Sequence, residues 1–297
     1  MTEFAVNFVL NLEWEPDEDS ITALTEMGYA LEHGTIFEKD YEAAAKLYTI
    51  AAEAGDSTGM NNLAWMYQNG YGVEINLSKA IKMYVDAAEN GCARSMVNLG
   101  NIYEFGVENG KPDYDKAFFW YQKAAEQGDP LGQFNYANCF HHGYGTSQNY
   151  EKAFKLFYEL AQNGEHSAFF YVGLYLQEGL AGLQNYKEAE YYYKLGAADN
   201  DMYCCNQLGV MYAEGQGVKK NPEQALHYYK KAARLGDALS STNVGWLYES
   251  GELDKPDLQT AITWYKRAAE NGEENAIEAL QRLGVPLEIE KERSTGI

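Results

Sequence analysis

Small and aromatic side chains return along this chain at a fixed interval. The segments Ala-Ala-Glu-Ala-Gly55, Ala-Ala-Glu-Asn-Gly91, Ala-Ala-Glu-Gln-Gly128, Leu-Ala-Gln-Asn-Gly164, Ala-Ala-Arg-Leu-Gly236 and Ala-Ala-Glu-Asn-Gly272 recur every 36 residues, with one step of 37. Asn200 holds the fifth place, and Asn is the usual substitute where a helix ends in a left-handed turn. Eleven residues before each anchor stands an alanine: Ala44, Ala80, Ala117, Ala153, Ala189, Ala225 and Ala261. Seven before is an aromatic: Tyr48, Tyr84, Tyr121, Phe157, Tyr193, Tyr229 and Tyr265. Offsets of this kind place small and aromatic residues on one stripe of an α-helix, so each copy is predicted to carry a helix B packed closely along that stripe.

A second series, Gly34, Gly70, Gly106, Gly143, Gly179, Gly215 and Gly251, closes an earlier helix A in each copy. Six residues before it lies Gly28, Ala64, Gly100, Ala137, Gly173, Gly209 or Gly245, which predicts a close helix approach there. Pro112, Pro222 and Pro256 fall near the start of helix B, where proline is tolerated. Each copy therefore reads as a helical hairpin, and a period of this length means a stacked array.

The runs Asn62-Leu63-Ala64-Trp65-Met66-Tyr67-Gln68-Asn69-Gly70-Tyr71-Gly72-Val73 and Gln207-Leu208-Gly209-Val210-Met211-Tyr212-Ala213-Glu214-Gly215-Gln216-Gly217-Val218 resemble the Sel1-like repeat, a tetratricopeptide relative. So does Lys79-Ala80 leading to Tyr84 and Ala87-Ala88-Glu89-Asn90-Gly91. The resemblance covers residues 20–273 and implies an all-α, right-handed α-solenoid of about seven hairpins whose A helices line a concave groove. Two departures are local: the Gly-x-Gly loop is complete only in copies two, four and six, and copy three has an extra loop residue between Val107 and Lys111. The paired cysteines of the family's secreted branch are missing. Residues 274–297 supply a capping helix over 274–283 and a polar tail, and residues 1–19 an N-terminal cap or strap. In that strap Phe4, Val6, Phe8, Leu10 and Leu12 alternate with period two, as in an extended strand.

Charge narrows the partner. With 44 acidic and 23 basic residues the net charge is -21, which argues against nucleic acid and anionic membrane surfaces. No run of eighteen apolar residues occurs, and the acidic start Met1-Thr2-Glu3 is unlike a secretory signal. A cytoplasmic chain is expected, with Cys92, Cys139, Cys204 and Cys205 as free thiols.

Five residues before the helix-A glycines lie Tyr29, Trp65, Asn101, Asn138 and Trp246; nine before lie Asn61, Phe134, Phe170 and Asn206. If the A helices line the groove, these nine are the candidate protein-binding residues, a mixture of amides and aromatics suited to a protein or peptide. Phe134 and Phe170 could equally pack between adjacent A helices. On the A helices Arg94 faces Glu26, Glu32, Glu104, Glu178, Glu214 and Glu249, so a basic ligand is expected, unless these acids serve solubility alone.

Three readings follow. The first is a non-enzymatic scaffold that holds a basic protein or peptide. The second is an immunity or inhibitor protein that neutralises a basic toxin. The third, a hydrolase-like enzyme, rests only on His33, His141 and His142, whose spacing matches no catalytic triad. Cys139 with His142 falls short of the four ligands of a structural zinc, and Gly70-Tyr71-Gly72 lacks the lysine of a phosphate loop. No catalytic residue, metal or cofactor is expected.

Overall fold

The computed structural model describes residues 17–107 and 110–286, which form fifteen α-helices and one short 3-10 turn, with no strand among them. The alternating run from Phe4 to Leu12 lies outside the described residues. The chain divides into two compact units, Met1–Asn149 and Tyr150–Ile297.

The first unit contains α1 (Glu18–His33), α2 (Tyr41–Glu53), α3 (Ser57–Asn69), α4 (Leu77–Glu89), α5 (Ala93–Glu104), α6 (Tyr114–Glu126) and α7 (Pro130–His142). Helix starts are fixed by Asp40, Asp56, Asn76, Asp113 and Asp129, whose side chains accept from first-turn backbone N–H groups. Each such cap contributes about 1 kcal/mol. Gly34, Gly70 and Gly143 end α1, α3 and α7 in the left-handed region, with φ of 67°, 76° and 79°. In α5 the end shifts to Phe105, and Gly106 follows at φ 63°.

Helix-B alanines and tyrosines are fully buried in this unit, as at Ala44, Tyr48, Ala80, Tyr84, Ala117 and Tyr121. The small residue of helix A exists to admit the tyrosine. A Cβ on Gly28 would stand 2.6 Å from the Tyr48 ring, and one on Gly100 only 2.3 Å from Tyr121. A second close contact joins successive copies, since a Cβ on Gly132 would meet Ala124 Cβ at 2.5 Å. The Gly-x-Gly loops of copies two and four have the same cause: Gly72 and Gly145 each lie against a main-chain carbonyl at the start of the preceding helix B, Tyr41 and Tyr114. Both glycines have positive φ, 67° and 63°.

The second unit contains α8 (Tyr150–Gln162), a 3-10 turn (His166–Ala168), α9 (Phe169–Glu178), α10 (Tyr186–Ala198), α11 (Met202–Glu214), α12 (Pro222–Arg234), α13 (Ala238–Ser250), α14 (Leu258–Ala269) and α15 (Glu274–Arg282). The helix-A pattern breaks in copy five, where the first turn is 3-10 and α9 has 10 residues. Gly173, Gly209 and Gly245 repeat the close approach to Tyr193, Tyr229 and Tyr265. Asn200 takes the left-handed conformation at φ 62°, as its place in the series requires. Bases on helix B satisfy carbonyls of the preceding helix B: Lys231 Nζ donates to Ala197 O and Arg267 Nη2 to Ala233 O. The last helix among the described residues, α15, buries Ala276, Ala279 and Leu280 and exposes Glu274, Asn275, Glu278 and Arg282. No helix of the described residues is long and apolar enough to cross a membrane.

Candidate functional site

In the first unit the row five residues before the helix-A glycines runs Tyr29, Trp65, Asn101, Asn138 on α1, α3, α5 and α7. Tyr29 is 52% exposed and stacks on His33, with ring centroids 4.0 Å apart. Trp65 is half-buried and stacks on Tyr71 at 4.9 Å, and Tyr71 in turn stacks on Tyr41. Asn101 is half-buried and its Oδ1 lies 2.7 Å from the Tyr121 hydroxyl. Asn138 is half-buried, and its buried Oδ1 meets no donor among the described residues. In the second unit the same row ends on Trp246, 46% exposed.

The row nine residues before the glycine behaves differently. Asn61 is only 7% exposed. Its Oδ1 accepts from Ser95 Oγ and Asn98 Nδ2, each at 3.0 Å, and its Nδ2 donates to Asn62 Oδ1. Four copies later Asn206 accepts from Ser240 Oγ at 2.9 Å and Asn243 Nδ2 at 3.4 Å. Both amides tie one A helix to the next. Phe170 packs against Tyr171, Tyr193 and Tyr203, and Phe134 is half-buried. The exposed aromatics Tyr29 and Trp246 thus lie outside these internal networks, whereas Asn61 and Asn206 are held within them.

A further set of polar links escaped the sequence reading. The buried helix-B tyrosine donates to the residue two before the helix-A glycine: Tyr48 to Glu32 (2.7 Å), Tyr84 to Gln68 (3.0 Å), Tyr121 to Glu104 (2.5 Å), Tyr193 to Gln177 (2.8 Å) and Tyr265 to Glu249 (2.7 Å). Burial, reinforced by the neighbouring carboxylate, pushes the phenols of Tyr48, Tyr121 and Tyr265 well above their ordinary value, so each stays a donor. Glu32, Glu104 and Glu249 are therefore positioned by the core. Glu26, Glu178 and Glu214 are exposed. The available signal was the coincidence, in five of seven copies, of a helix-B tyrosine with Glu or Gln at that one position.

The cysteines are all unpaired. Burial pushes the Cys139 thiol up to about 12 and raises Cys204 and Cys205 as well, so these three are packed as protonated thiols. His33 sits on α1, while His141 and His142 adjoin each other at the end of α7 with ring centroids 4.5 Å apart. Burial, then His142, lowers the His141 pKa. Among the described residues no three His, Cys, Asp or Glu side chains come together as a metal site.

Helical hairpins stacked in register, each locking a tyrosine or, in copy four, Phe157 against a glycine or alanine, define a helical-repeat protein of the α-solenoid class. The chain belongs to the Sel1 repeat family, whose model matches residues 21–56, 57–92, 93–129, 130–165, 167–201, 203–237 and 238–273. Among solved structures, a protective antigen of uropathogenic Escherichia coli with an SLR fold is 31% identical, with a TM-score of 0.77 over 90% of this chain. The chain spans 58% of that protein's length. A Sel1 repeat protein from Oxalobacter formigenes is 28% identical, with a TM-score of 0.73, covering 82% of this chain and 96% of its own. No curated protein matches the sequence.

Proposed function

We propose that this chain is a non-enzymatic scaffold that holds a basic protein or peptide segment against its A helices. The observation that carries the reading holds for the A helices of each unit taken by itself: an exposed aromatic ring, Tyr29 in the first unit and Trp246 in the second, on helices whose acids outnumber their one arginine, Arg94. Large rings supply binding energy at low entropic cost, and the excess of carboxylates selects a cationic partner and speeds its arrival. Solenoids share a scaffold and differ in the residues they present, so specificity belongs to these side chains and not to the fold.

The test uses the partner that copurifies with the full chain. Tyr29→Ala combined with Trp246→Ala weakens binding by about tenfold or more with melting unchanged, as loss of aromatic anchors does. Association also slows steeply as salt rises toward physiological strength, where charges are screened beyond about 8 Å. A partner that binds the double variant normally and ignores salt overturns the reading.

A further inference from the structure

The glutamates two residues before the helix-A glycine are not equivalent to the other acids of the A helices. Each of Glu32, Glu104 and Glu249 accepts a hydrogen bond at Oε2 from a tyrosine hydroxyl held in the core, Tyr48, Tyr121 and Tyr265. All three residues are half-buried, and the tyrosine bond fixes one carboxylate oxygen of each. A carboxylate restrained in this way loses little freedom when a cation docks, which favours binding.

One of the three is already occupied, and its occupant identifies the chemistry. In α15 Arg282 places Nη1 2.5 Å from Glu249 Oε1 and Nη2 2.8 Å from Oε2, a two-pronged guanidinium grip. Arg282 stands two residues before Gly284, the same register on the next helix of the row. The tyrosine bond and the arginine grip coexist on one carboxylate, so anchoring by tyrosine leaves the fork geometry intact. Glu32 and Glu104 have the same anchor but no cation partner among the described residues. In copy two the corresponding residue is Gln68, which is neutral.

We propose that Glu32 and Glu104 are two preformed arginine sockets on the first unit, built to receive guanidinium groups of a bound partner as Glu249 receives Arg282. This rests on the reading of the A helices as a surface for a basic partner, and deepens it by naming the side chain recognised. Arginine suits the site better than lysine, because its planar donors match both carboxylate oxygens while an ammonium meets them as a point charge. The sockets are two A helices apart, and packed helices lie about 8–10 Å from each other. Their separation is then on the order of 20 Å, the reach of about six residues of extended chain. The partner accordingly offers two arginines with roughly that spacing.

The experiment measures fluorescence anisotropy of labelled nona-arginine and nona-lysine with the full-length chain at low salt. Glu32→Gln with Glu104→Gln removes both charges yet keeps an acceptor for each tyrosine, as Gln68 and Gln177 already do at this position. The control, Glu53→Gln with Glu89→Gln, removes the same charge from exposed sites on α2 and α4. The sockets predict that nona-arginine binds more tightly than nona-lysine, that the Glu32/Glu104 variant loses about tenfold, and that the control loses less than about twofold. Equal losses in the two variants, or equal binding of the two peptides, overturns the sockets and leaves the basic-partner surface standing. If neither peptide binds saturably, the basic-partner reading itself falls, and the sockets with it.

Discussion

Arg282 of α15 holds Glu249 of α13 through both carboxylate oxygens, while the Tyr265 hydroxyl holds the same carboxylate from the core at 2.7 Å. The pair fastens α15 to α13, and Tyr265 brings α14 to the same carboxylate. Arg282 foremost, and Tyr265 with it, keeps the Glu249 carboxyl below its ordinary value of 4.5 against the opposing effect of burial. A carboxyl with a depressed folded pKa adds stability that is present above the unfolded pKa and disappears as pH falls through the folded one. Arg282→Ala therefore lowers the melting temperature at neutral pH, and the gap to the native chain closes as the pH is brought below about 4.5 toward 3. Thermal melts across that range check it, and a gap that stays constant contradicts it.

The glycine–tyrosine contacts make the stack intolerant of a single methyl group. Glycine inside a helix normally costs stability relative to alanine, by about 0.5–1 kcal/mol. Here the sign reverses, because a Cβ on Gly100 or Gly209 would lie 2.3 or 2.4 Å from a tyrosine ring. Gly100→Ala and Gly209→Ala are each expected to destabilise by about 1–3 kcal/mol in urea denaturation.

Asn61 is expected to matter for stability more than for recognition. Asn61→Ala leaves the fully buried Ser95 hydroxyl without its acceptor and releases Asn98. The expected cost is about 1–3 kcal/mol, with a parallel loss for Asn206→Ala. Binding of a partner to the folded Asn61→Ala protein should be unchanged, which a titration below its melting temperature tests.

Copy six lacks one link that the other copies suggest how to restore. Tyr229 is buried, but the residue two before Gly215 is Ala213, which offers no acceptor. Ala213→Gln supplies the acceptor that Gln177 provides for Tyr193, and is expected to stabilise by about 0.5–1.5 kcal/mol. A Tyr229→Phe background should abolish that gain.

The repeats and their helices were legible because packing imposes them: a position that must admit a tyrosine ring tolerates only Gly or Ala, and it returns in every copy. Chemistry on the A helices was harder to read. Positions nine and eight before the glycine are neighbours around the helix, so the pattern alone could not say whether Asn61 faces solvent or the next A helix. Tyrosines were legible as volume, whereas their hydroxyls, which position Glu32, Glu104 and Glu249, leave no trace in hydrophobic periodicity. The acids likewise entered only as net charge, although Glu32, Glu104 and Glu249 are fixed by the core. The 3-10 turn at His166–Ala168 carried no pattern to announce it; His166 there pairs with Asp199 at 2.8 Å.

The most direct test of the account places a photo-crosslinking amino acid at Tyr29 on α1 or, in a separate protein, at Lys82 on α4, and identifies by mass spectrometry what each captures from the native partner. Tyr29 is expected to yield an adduct with an arginine-rich segment that is lost in the Glu32→Gln, Glu104→Gln background, and Lys82 to yield none. Capture from Lys82 alone, or from Tyr29 by an acidic segment, would contradict an A-helix surface that recognises a basic partner.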